Sequence, residues 1–86
     1  MAKNKKPNKG KITPVKPRIL IRIFERVDYE VSAKTKRHVV MRKSGKYCNL
    51  AIPNHPSKEV HVGIINQLID NAGITRDEYL SILTNL

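Results

Sequence analysis

His38-Val-Val-Met-Arg-Lys-Ser-Gly-Lys-Tyr-Cys-Asn-Leu-Ala-Ile-Pro53 is the stretch that decides the fold. His38–Lys43 reads as one strand, Ser44-Gly45 as a turn dipeptide and Lys46–Ile52 as a returning strand, which makes a hairpin. Pro53 and Pro56 then end the sheet and force an irregular loop around Asn54-His55. Upstream, Tyr29, Val31 and Ala33 alternate with Glu30, Ser32 and Lys34, the pattern of a third, half-buried strand.

Helical periodicity flanks these strands. Ile19, Leu20, Ile23, Phe24 and Val27 fall on one face of a helix that opens after Pro17, with Arg18, Arg22, Glu25 and Arg26 opposite. Ile64, Ile65, Leu68, Ile69 and Ala72 repeat that face, and Gly73 is placed to terminate the helix. Thr75 and Glu78 have capping-box spacing before a short last helix carrying Tyr79, Leu80, Leu83 and Leu86. The expected order is α-β-β-β-α(-α), an α+β domain with helices on one face of a three-stranded antiparallel sheet.

The chain has 86 residues and a net charge of +10. That length holds one small domain and excludes a cleft between two. Residues 1–17 contain six lysines, three prolines and no acid, the composition of a basic disordered arm; the domain is then 18–86. A second acid-free stretch, Val31–Lys58, carries Lys34, Lys36, Arg37, Arg42, Lys43, Lys46 and Lys58. An arm and a face of one sign point to a polyanionic partner, RNA or DNA before an anionic membrane surface. These seven cations are the expected RNA-binding residues.

The single cysteine, Cys48, forms no internal disulfide and reads as a small buried side chain in a reducing, cytoplasmic setting. The longest apolar run, Ile19-Leu20-Ile21, is far below a membrane span, and the basic N-terminus has no apolar core of a secretory signal. Phosphate-cradling glycine loops, dinucleotide fingerprints and paired zinc-ligand histidines are missing, so neither a metal nor a cofactor is expected.

Three histidines remain: His38, His55 and His61. His38 opens a strand directly after Lys34-Thr35-Lys36-Arg37, within a field of cations. Cleavage of RNA by its own 2′-hydroxyl needs a base, an acid and positive charge at phosphorus. Histidine supplies either proton role near neutral pH, and Lys or Arg supplies the charge. On the residues alone His38 is either a catalytic group or a surface histidine beside a phosphate-binding patch; His55, stiffened by Pro53 and Pro56, is either a second catalytic group or substrate contact, or a loop histidine that caps the next helix or bonds backbone. His61 reads as an exposed residue before a helix, and Tyr47 and Tyr79 read as core rather than base-stacking residues, with Tyr47 the better placed for exposure on the sheet.

From about residue 18 to the end the chain resembles HicA-type mRNA interferase toxins of toxin–antitoxin pairs. The resemblance is carried by Asp28-Tyr29, His38-Val39-Val40-Met41, Ile52-Pro53-Asn54-His55, Lys58-Glu59, Gly63-Ile64-Ile65, Leu68-Ile69, Ala72-Gly73-Ile74 and Asp77-Glu78-Tyr79, in order and spacing. It implies a double-stranded-RNA-binding-domain-like fold, endoribonuclease activity on messenger RNA, a catalytic histidine at His38 and a HicB-type antitoxin. No metal or small-molecule cofactor is implied. Lys36-Arg37 stand where members have Gly-Ser, and Asp28 stands where a glycine ends the first helix. Lys36 either blocks a close approach of phosphate to the backbone or replaces it as a ligand. The alternatives to a nuclease are a non-catalytic RNA-binding module on the same basic face and an inactive protein that holds the antitoxin.

Overall fold

A computed structural model describes residues 12–45, 49–55 and 57–86. Its elements are α1 (Pro17–Glu25), β1 (Glu30–Lys34), β2 (His38–Arg42), β3 (Leu50–Pro53), α2 (Val62–Ala72) and α3 (Arg76–Thr84). The α-β-β-β-α-α order is the expected one. The strands form one antiparallel sheet ordered β1-β2-β3.

Alternation along β2 and β3 assigns the faces. Val39 and Met41 of β2, with Leu50 and Ile52 of β3, are fully buried beneath the helices. His38 and Arg42 point to the open face. Helix α1 buries Leu20, Ile23 and Phe24, and α2 buries Ile65, Leu68, Ile69 and Ala72. Helix α3 adds Tyr79 and Leu80. Burying this many large aliphatic side chains, each worth about 1.5–3 kcal/mol, is what holds so short a chain together.

Two helix ends obey the same rule with different residues. Gly73, with φ 77°, closes α2, its amide bonding the carbonyls of Ile69 and Asp70. After α1 the corresponding left-handed residue is Asp28, with φ 75°. The Asp28 amide donates to Glu25 O at 3.2 Å and the Tyr29 amide to Phe24 O at 3.1 Å. Phe24 and Tyr29 meet edge to face at 6.1 Å between ring centres. This is a Schellman motif with its usual hydrophobic contact, built without glycine. The capping box of α3 forms as its spacing requires, the Glu78 amide donating to Thr75 Oγ1 at 3.0 Å and the Thr75 amide to Glu78 Oε1 at 2.9 Å.

Three expectations are revised. Strand β1 is exposed along its whole length rather than half-buried. It is an edge strand, and a bulge between Val31 and Ala33 breaks the alternation; Val31 remains 41% exposed. The returning strand leaves out Asn49, starts at Leu50 and runs on through Pro53, which stands opposite His38; Lys46, Tyr47 and Cys48 lie outside the described residues. Residues 12–17, read as part of the arm, pack on the domain. Ile12 and Pro17 are buried, and the Val60 amide donates to Val15 O at 2.7 Å in an isolated bridge. Residues 1–11 of the arm lie outside the described residues.

Candidate nucleic-acid interface

The β1–β2 connection has only three residues, Thr35, Lys36 and Arg37. Tight hairpins of this length ordinarily use left-handed residues such as glycine or asparagine. Here neither Lys36 nor Arg37 has a positive φ. The hydroxyl of Thr35 adds to the backbone bonding: Thr35 Oγ1 accepts from the Arg37 amide at 3.2 Å and the His38 amide at 3.0 Å. The Thr35 amide donates to His38 O at 2.8 Å. The backbone of His38 is thereby held from both sides at the first position of β2.

Across the ladder, His38 pairs with Pro53. The chain leaving β3 is tied back to the same hairpin, the Asn54 amide donating to Arg37 O at 2.7 Å. The Lys58 amide then donates to His55 O at 3.1 Å and closes the following turn. These bonds bring the two loops together, and Lys36, Arg37, His38, Pro53, Asn54 and His55 line one open groove of about 530 Å³. Both candidate histidines thus share a groove with two cations and no acid. Both are exposed.

The other expected RNA-binding residues do not all gather here. Lys34 pairs with Val39, whose side chain enters the core, so it stands on the helix side of the sheet. Arg42 is about 13 Å along β2 from His38 at strand rise, in a cavity with Glu30, Val31, Ser32 and Ser44. The Lys43 ammonium lies 5.9 Å from the centre of the Tyr29 ring, a cation–π contact that draws it towards the α1 corner. Lys58 is exposed beside the groove, while Lys46 lies outside the described residues. His61 is the exposed residue before α2, as its position suggested.

A protein-family model described as "HicA toxin of bacterial toxin-antitoxin" matches residues 17–74, well over half of the chain. The chain belongs to the HicA toxin family. It is therefore a toxin of the toxin–antitoxin kind, with an antitoxin as its partner in general terms. No curated protein matches it. Among the described residues no helix is long and apolar enough to cross a membrane, and no three of His, Cys, Asp and Glu are grouped as metal ligands would be.

Sequence reasoning missed two participants in this HicA groove. Thr35 fixes the hairpin that carries His38; a hydroxyl residue opening a short connection between strands is the available signal. Asn54 forms part of the floor and stitches the loops. Its position inside Pro-Asn-His marked a turn, but not which strand the turn would face.

Proposed function

We propose that this HicA-family toxin is an endoribonuclease that cleaves messenger RNA without a metal, using His38 and His55 as its proton-transfer pair. The observation that carries this reading is the convergence of both imidazoles, Lys36 and Arg37 on one open groove.

The chemistry assigns the roles. One histidine takes the proton of the 2′-hydroxyl as its oxygen attacks the adjacent phosphorus. The bond from phosphorus to the 5′-oxygen breaks, and the second histidine protonates that leaving oxygen. The products are a 2′,3′-cyclic phosphate and a 5′-hydroxyl. Lys36 and Arg37 stabilise the charge that grows on the non-bridging oxygens, where preorganised donors act most strongly. His38, fixed within a strand, suits the base. His55, on the loop, suits the acid. A HicB-type antitoxin that covers this groove would silence the enzyme.

The test is cleavage of a mixed-sequence messenger RNA, with chelator present, by the wild-type chain and by a folded His38→Ala variant. Cleavage with cyclic-phosphate ends, lost in the variant while RNA affinity is kept, is the expected result. Intact RNA in both samples with salt-sensitive binding retained would assign the groove to a non-catalytic binder. Weak RNA binding beside tight capture of an antitoxin would leave only the partner-holding reading.

A further inference from the structure

A second cavity opens beside the His38–His55 groove. Lys16, Pro17, Arg18 and Asn54 line its volume of about 210 Å³, several times that of a water molecule (about 30 Å³). Asn54 lines both cavities. A polymer with one phosphate at Lys36 and Arg37 that leaves the groove past Asn54 therefore meets two more cations and no acid.

The position of these cations is fixed by the fold. Val15 bridges to Val60, and Ile12 is buried, so the segment entering α1 lies on the domain surface. The Lys16 carbonyl accepts from the Ile19 amide at 3.0 Å and the Leu20 amide at 3.3 Å. Pro17 is buried beside it, and Arg18 stands on the exposed side of the helix. Lys16 and Val15 precede the family match, which begins at residue 17, whereas Val60, the other side of the bridge, lies within it.

We propose that Lys16 and Arg18 bind a backbone phosphate of the RNA that flanks the one held at His38, with the Asn54 side-chain amide between the two. This rests on the reading of the His38 groove as the RNA-cleaving site. The consequence is a substrate requirement: the toxin grips RNA over more than one phosphodiester, and strands too short to reach Lys16 bind only through the first subsite.

The test reads binding on uncleavable RNA carrying 2′-O-methyl groups, so it does not depend on catalysis. Full-length wild-type chain, Lys16→Gln/Arg18→Gln and, as a charge-matched control, Arg22→Gln/Arg26→Gln are titrated with a ten-nucleotide RNA by fluorescence anisotropy. A dinucleotide with one phosphodiester is titrated by NMR shifts. The Lys16/Arg18 variant should bind the ten-mer roughly tenfold more weakly, with a salt slope smaller by about 0.7, the value for one phosphate contact on a single strand. Dinucleotide affinity should be unchanged, and the control should bind the ten-mer within about twofold of wild type, since Arg22 and Arg26 lie towards the other end of α1. Equal losses in both double variants would reduce the effect to net charge and overturn the subsite. So would an unchanged ten-mer affinity, or an equal loss for the dinucleotide. Wild-type chain that binds the ten-mer in this pattern yet never cleaves natural RNA would defeat the nuclease reading and leave the phosphate subsite in place.

Discussion

Thr35 Oγ1 lies 3.0 Å from the amide nitrogen of His38 and 3.2 Å from that of Arg37, so one hydroxyl organises both residues at the rim of the groove. Valine has the shape of threonine without the acceptor. Thr35→Val should therefore leave the fold intact, at a cost of about 1 kcal/mol for the lost bonds. In the proposed nuclease, small misplacements are expensive for catalysis. Thr35→Val should lower kcat by about 10- to 100-fold with little change in KM, and Thr35→Ser should restore it. Single-turnover cleavage beside thermal melting checks this. A fall in kcat that serine does not rescue would refute a positioning role.

Lys36 decides between the two meanings of the missing Gly-Ser. Its side chain lines the groove with His38, and its backbone has no left-handed strain to relieve. Lys36→Gly and Lys36→Gln should both weaken RNA binding, and both should flatten its salt dependence by about 0.7 in slope. If Lys36 instead obstructs the phosphate, the glycine variant alone will bind and cleave better than wild type. Affinity measured across a salt series separates these outcomes.

Much of the fold was legible because its signals are local. The faces of α1 and α2, the Gly73 terminus and the Thr75–Glu78 capping box each follow from side chains within one or two turns. The strand β1 was harder. Its alternation is present in the sequence, but burial depends on whether a helix covers that edge, and the bulge at Ser32 shifts the register. Ile12 and Val15 are isolated apolar residues among lysines, with no period to reveal that Val60 would receive them. The candidate site was half visible. His38 and His55 were each readable from neighbouring charge and prolines, whereas their meeting depends on the register that sets His38 opposite Pro53. Lys34, paired with Val39 across β1 and β2, and Arg42, at the far end of β2, are dispersed from the groove, although charge alone groups them with it.

Asp28 carries a measurable strain. A non-glycine residue in the left-handed region costs about 1–2 kcal/mol, somewhat less for aspartate. Asp28 at φ 75° occupies the closing position of a Schellman motif, where glycine is favoured. Asp28→Gly should raise stability by about 0.5–1 kcal/mol, or some 4 °C in Tm for a domain of this size. Gly73→Ala, at φ 77°, should lower it by a similar amount. Urea denaturation of both variants gives the comparison. Loss of stability in Asp28→Gly would mean that the carboxylate makes a contribution larger than the strain.

Tyr79 gives the chain an alkaline limit. Its side chain is fully buried, and its hydroxyl has no hydrogen-bond partner among the described residues. Burial disfavours the phenolate and pushes the pKa from 10.0 up to about 12. The unfolded chain ionises near 10 while the folded chain still holds its proton. Above pH 10 the folded state therefore binds more protons, and its stability falls as pH rises towards 12. The slope should approach about 1.4 kcal/mol per pH unit from this one group. Below pH 10 the contribution is fully present and constant. Tyr79→Phe removes the titrating group and an unpartnered donor together, so it should be neutral or slightly stabilising at pH 7. Denaturation at pH 8, 10 and 11 should show wild type losing stability faster than Tyr79→Phe, with lysines and the other tyrosines contributing equally to both. Parallel pH profiles would mean that the Tyr79 hydroxyl reaches solvent or a partner before the chain unfolds.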